Sequence, residues 1–218
     1  VEERLSGVGL LDISVQGDTR DVFLEPENLQ LLEDLESFVS KQPGVDKVNS
    51  FNHFLKDMHM SFHDEDPNYY KIPDNRQLIA QYLLLYDSDD IDDFMNREYD
   101  HARLGIRLGI HGSQDKAQLI ATIQNKLNKM QVPGLDMRVT GQSVQDVNVI
   151  DTLVSGQIYS LSIAVGAISL LMFMLFHSLS LGLLSLLPNC FPIIINFGVM
   201  GLLNIPLNTA TSLIAAMA

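Results

Sequence analysis

Between Thr152 and the last residue, Ala218, the sequence contains no Asp, Glu, Lys or Arg. All 14 basic residues lie at or before Arg138, and all 27 acidic residues at or before Asp151. An uncharged stretch of this length cannot form the surface of a water-facing domain. The chain therefore divides between two solvents: residues 1–150 face water and 151–218 are lipid-embedded. Basic residues are scarce as well. Residues 1–150 hold 14 basic against 26 acidic side chains, a formal charge of −12 that repels phosphate backbones and excludes nucleic-acid binding. Cysteine occurs once, as Cys190 in an apolar segment, so a disulfide within one chain is excluded and the redox compartment stays open. No nucleophile elbow, phosphate loop or zinc-protease signature is present. The reading is of a protein without catalytic constellation or cofactor, suited to transport, sensing or anchoring.

The charged part contains a repeat. Pro43-Gly44-Val45-Asp46-Lys47-Val48 recurs approximately as Pro133-Gly134-Leu135-Asp136-Met137-Arg138-Val139. Each copy follows an amphipathic helix. The first carries Leu31, Leu32, Leu35, Phe38 and Val39, with Pro26 in its first turn. The second carries Ile120, Ile123, Leu127 and Met130 behind the N-cap candidate Ser113. The Pro-Gly pair stops each helix, because Pro cannot continue it and Gly accepts the left-handed turn. Before each helix runs an alternating segment, Leu11, Ile13, Val15 in one case and Leu104, Ile106, Leu108, Ile110 in the other, with the period of a half-buried strand. Strand–helix–strand written twice predicts an α+β domain of split βαβ, ferredoxin-like type, with four strands in one sheet and both helices on one face.

Residues 52–100 interrupt the two halves and predict a helical insertion, with helices at Asp74–Leu85 and about Asp89–Tyr99. Within it, His53, Asp57, His59 and His63 cluster beside Asp64, Glu65 and Asp66. His59 and His63 are four apart, which on a helix would point both imidazoles one way, but no third ligand has a spacing that demands metal. The segment reads as a solvated linker. The run Asp87, Asp89, Asp90, Asp92, Asp93 lacks the central Gly and terminal Glu of a calcium loop and suits a helix N-terminus instead.

Beyond Gly141 the sequence predicts membrane spans at about 156–176, 181–203 and 207–218, joined by short turns at His177-Ser178-Leu179-Ser180 and Asn204-Ile205-Pro206. Such short turns make neighbouring spans antiparallel. The large domain and the Asn204 turn then share one side of the membrane. Pairs of small residues at helical spacing, Ser162 with Gly166 and Gly198 with Gly201, allow close helix packing. Pro188, Asn189, Pro192 and Asn196 mark the second span. Either they form a structural kink whose freed carbonyls the asparagines satisfy, or a flexible helix lining a substrate route. The chain opens on Val1 without an initiator Met and closes in a 12-residue apolar run, Leu207–Ala218. A span takes about 20 residues, so the expectation is an internal fragment of a longer membrane protein.

Three stretches carry a family resemblance: Phe176-His177-Ser178; Leu181-Gly182-Leu183-Leu184-Ser185-Leu186-Leu187-Pro188-Asn189 with Phe191-Pro192-Ile193; and Gly198 to Thr211, which includes Asn204-Ile205-Pro206-Leu207-Asn208-Thr209-Ala210-Thr211. They resemble the resistance–nodulation–division (RND) transporters, closest to the MMPL-like branch of lipid and hydrophobe exporters. Pro43-Gly44-Val45, Ile72-Pro73 and Val139-Thr140-Gly141-Gln142 are similar to the extracytoplasmic domain of that branch. The resemblance implies a porter domain at 1–150 on the periplasmic face of a bacterial inner membrane, and spans two to four of a six-helix unit. It implies hydrophobic cargo or membrane lipids as partners, the proton as coupling ion, and a homo-oligomer in some members. The acidic residues of proton-driven members fall shortly after the Thr-Ala-Thr-like region, beyond Ala218. His177 stands where relatives often have Arg. A lipid- or sterol-sensing protein, or a SecD/SecF-like export accessory, is the alternative.

Overall fold

The computed structural model describes residues 9–85, 89–110 and 112–176, together with 191, 195, 198, 199 and 201–203. Its described part begins with the alternating segment. Strand β1 (Gly9–Gly17) turns Leu11, Ile13 and Val15 to one side, where all three are fully buried, and Asp12 and Ser14 to the other. Strand β3 (His101–Leu108) does the same with Ala102, Leu104, Ile106 and Leu108. The two pair antiparallel with Ile13 opposite Leu104, which aligns their apolar faces. Strand β2 (Val45–Asn49) adds to the far side of β3, and β4 (Leu135–Thr140) to the far side of β1, both antiparallel. The order is β2-β3-β1-β4. Each strand–helix–strand half thus brackets a strand of the other.

Helix α1 (Pro26–Ser40) connects β1 to β2, and α5 (Ser113–Met130) connects β3 to β4. Their buried residues join the inward strand residues in one core: Leu29, Leu32, Leu35 and Val39 from α1, and Leu119, Ile123 and Leu127 from α5. Burial of each such side chain contributes about 1.5–3 kcal/mol before entropy is charged against it. The buried stripes are centred slightly to one side of the expected ones. Leu29 and Leu119 lead them, while Leu31 lies at the margin and Phe38, Ile120 and Met130 are only partly covered. Both Pro-Gly pairs form the same turn. Val45 N donates to Gln42 O (3.3 Å) and Leu135 N to Val132 O (3.1 Å), while Gly44 and Gly134 take φ of 85° and 84°. Proline then glycine at the two central positions is the type II pattern.

The insertion departs from expectation twice. Residues 53–61 of the stretch read as linker, His53–Asp66, belong to helix α2 (Phe51–Ser61). Ser50 caps it, with His53 rather than Glu or Gln closing the reciprocal contact, and Phe51, Leu55 and Met58 bury at helical spacing. The charged residues around that stripe masked it. Helix α3 (Arg76–Leu85) lies where a helix was expected, but α4 (Asp89–Asp92) is a single turn and does not run to Tyr99. Asn96 Oδ1 accepts from the backbone N–H of Asp100 (3.1 Å) and His101 (2.9 Å), and Met95 bridges Ala102. That side chain offers the backbone a turn in place of a helix.

Two compact units result: Val1–Ile110 with Asp115–Val144, and His111–Gln114 with Gln145–Ala218. The main element of the second is α6 (Gln142–Phe176), a 35-residue helix that follows β4 after one residue, Gly141. It starts well before the expected span at 156. Its stretch Gln142–Met172 is long and apolar enough to cross a membrane, with mean hydropathy 1.6. Most of the expected span at 181–203, and all of that at 207–218, lie outside the described residues.

Candidate functional site

The membrane candidates Pro188, Asn189, Pro192 and Asn196 lie outside the described residues, as does His177. Within the first unit, the structure gathers polar chemistry in the insertion, where α2 lies against α1 on one side and α3 on the other.

On the α3 side, His59 is 5% exposed. Its Nδ1 shares a 3.0 Å hydrogen bond with the buried Tyr82 hydroxyl of α3. One turn on, His63 donates from Nδ1 to the His59 carbonyl (2.7 Å) and places its ring 4.6 Å from that of His59. Tyr69, from the 3-10 turn Pro67–Tyr69, stacks on His63 at 3.8 Å and 12° and meets His59 at 5.5 Å. Phe62 stacks on Tyr82 at 5.1 Å. Burial lowers the His59 imidazole from its ordinary value of 6.5, with His63 and Lys71 adding to the fall and Asp74 opposing it. Burial likewise raises the Tyr82 phenol. His59 and His63 do share one side of a helix end, as their spacing suggested. Tyr69 and Tyr82, which sequence reasoning missed, complete the group.

On the α1 side, Lys56 puts Nζ 2.7 Å from Glu33 Oε1 and 5.3 Å above the Tyr70 ring. Asn52, fully buried, donates to Leu29 O (2.8 Å) and Glu33 Oε2 (3.3 Å), while its Oδ1 is buried without a partner. Glu36 accepts from Ser50 Oγ (2.6 Å) and pairs with His53 Nε2 (3.0 Å). The sequence carries the helical spacing of this network but not the pairing of its members. Asn52 and Lys56 are four apart on the helix, as are the apolar pair Phe51 and Leu55, and Glu33 and Glu36 flank the buried stripe of α1.

Among the described residues, no group of three or more His, Cys, Asp or Glu side chains could hold a metal ion. His53 faces Glu36 and His59 faces Tyr82, on different sides of α2. An open cleft of about 340 Å³ lies between the Pro43-Gly44 turn and α5, with Pro43, Ile110 and Leu119 as apolar lining and Gln42, Asp115, Gln118 and Thr122 as polar lining.

The second unit presents different chemistry. Ile158, Tyr159, Ile163, Leu170, Leu171, Met174 and Leu175 of α6 are all exposed, and none of its apolar window is buried against protein. Ser160, Ser162 and Ser169 return their hydroxyls to α6 carbonyls three or four residues back (3.1, 2.7 and 2.7 Å), so they offer little unsatisfied polarity to an apolar medium. Comparison with known protein families and with curated proteins finds no match.

Proposed function

We propose that this chain is part of an RND-type, MMPL-like membrane exporter that moves lipids or other hydrophobic molecules and draws on proton entry. The observation that carries the reading is α6. It is an exposed apolar helix that satisfies its own backbone and the hydroxyls of Ser160, Ser162 and Ser169, joined by one residue to an acidic α+β domain. Lipid is the medium that suits such a surface. In this reading residues 1–150 are a porter domain on the periplasmic side of a bacterial inner membrane, and the chain crosses that membrane several times. Pro188, Asn189, Pro192 and Asn196 line the substrate route, and copies of the chain associate. Rearrangement of the spans moves the porter domain between states that take up and release cargo.

The test is expression of the gene in an efflux-deficient host, with retention of labelled lipids and dyes measured with and without a proton uncoupler. Lower retention that the uncoupler abolishes is expected. Unchanged retention of every cargo despite membrane insertion would count against export. One observation favours a second reading, a lipid- or sterol-sensing protein or SecD/SecF-like accessory. No Asp, Glu, Lys or Arg occurs from Thr152 to Ala218, and a sensor needs no charge in its spans. Lipid-dependent conformational change without transport would select it.

A further inference from the structure

We propose that His59, His63, Tyr69 and Tyr82 form an acid-released clasp that holds α2 and α3 of the insertion together at neutral pH and lets them separate as pH falls. His59 is the polar centre of the contact between α2 and α3, and its side-chain hydrogen bond crosses to the other helix, at Tyr82. The neighbouring rings are committed elsewhere. Tyr69 lies face to face with His63, and Tyr82 with Phe62, so they meet His59 at 71° and 53° rather than lying flat over it. The pocket is built for a neutral imidazole.

A proton on His59 changes this locally. It places a buried cation 4.6 Å from the ring of His63, which is partly exposed. The charges on the surrounding elements do not offset it fully. Lys71 opposes the added charge and Asp74 favours it. From α1, Glu33 is engaged with Lys56, and Glu36 with Ser50 and His53. From β3, His101 bonds Ser14 and Arg103 pairs with Asp12. Burial already holds His59 below its ordinary value, so the closed clasp binds protons less readily than the open one. Opening is therefore favoured as pH falls below about 6.5, the value of a free histidine, by up to about tenfold per pH unit until the closed-state value is passed. It would uncover Met58, Ile79, Tyr82 and Leu83, an apolar surface otherwise hidden between the helices.

The experiment is hydrogen–deuterium exchange of the full chain in detergent at pH 7.5, 6.5 and 5.5, corrected for intrinsic exchange rates. Peptides covering 51–85 are compared with those covering β1 and β3. Protection in 51–85 should fall by up to about fivefold between pH 6.5 and 5.5, while that of the strands holds. His59→Asn keeps a donor and acceptor near the Nδ1 position but cannot titrate, and its 51–85 protection should be independent of pH. His63→Asn, which removes the neighbour that helps to lower His59, should shrink the response. If 51–85 in the unaltered chain stays as protected as the strands at pH 5.5, the clasp is refuted without recourse to a variant. If His59→Asn keeps the full acid response, the titrating group lies elsewhere and the assignment fails.

Discussion

The ion pair between Lys56 and Glu33 makes an asymmetric prediction. The lysine side chain is 10% exposed and the glutamate 31%, with Nζ and Oε1 2.7 Å apart. Replacing Lys56 with Met keeps the buried aliphatic stem and removes the charge. Glu33 can then turn to water, and the Asn52 amide remains within 3.3 Å. A hydrogen bond to a charged group contributes about 1.5–3 kcal/mol, and escape of Glu33 to solvent returns part of that, so the expected loss is about 1 kcal/mol. Replacing Glu33 with Gln instead strands the ammonium where water reaches it poorly. That cost tends toward the about 3–5 kcal/mol of a broken buried pair, reduced by the Tyr70 ring and the retained amide oxygen to about 2–3 kcal/mol. The double variant should be more stable than Glu33→Gln alone, because no unpaired cation remains. The assay is urea unfolding of residues 9–144 followed by far-UV circular dichroism. Equal single costs, or strictly additive ones, would refute the claim that the lysine is the buried partner.

Gly44→Ala should destabilise the domain by about 2–3 kcal/mol in thermal melts, since its φ of 85° disfavours a side chain and the added Cβ would sit 2.5 Å from Ile110 Cγ2. A loss under about 0.5 kcal/mol would show that the turn relaxes. Burial raises the Asp12 carboxyl from its ordinary 3.8, with the Arg103 guanidinium opposing, so the folded state binds this proton more readily than the unfolded chain. Asp12→Asn should therefore gain slightly on the parent at pH 7, by less than about 1 kcal/mol, and the gain should vanish as pH falls through 3.8; a gain that grows in acid contradicts the sign. Residues 9–144 alone should be soluble and give a mixed α/β dichroism spectrum, whereas adding 145–176 should drive the product into the membrane fraction of a cell lysate; a soluble, monodisperse 9–176 would contradict the lipid-facing reading of α6.

Periodicity reveals an element wherever one face is buried and the other wet. That is why Leu11, Ile13, Val15 and Leu104, Ile106, Leu108 could be placed inward from sequence, and why the Pro-Gly pairs marked both helix ends. The insertion was harder to read because its helices bury polar groups as well as apolar ones. Asn52, Lys56 and His59 look like surface residues until Glu33, Leu29 and Tyr82 are brought to them across 23 positions. No local pattern encodes such a partner. The run Asp92–Tyr99 misled in the opposite way, since its apolar residues suit a helix while the Asn96 side chain captures the backbone. For the candidate site, spacing suggested that His59 and His63 share a side but was silent on Tyr69 and Tyr82.

The interleaved order β2-β3-β1-β4 bears on how the chain comes to be folded. Strand β1 has both of its neighbours, β3 and β4, more than 80 residues downstream, and β2 waits for β3 as well. The first half therefore leaves a ribosome with Leu11, Ile13, Val15 and the buried side of α1 uncovered. Local pairings of α1 with β2, with the turn Val22–Leu24 and with α2 are then available to shield them. The sheet closes once residue 140 has emerged, just as the apolar α6 begins to be made. Long-range pairings of this kind form slowly and leave apolar edges open to wrong partners in the interval.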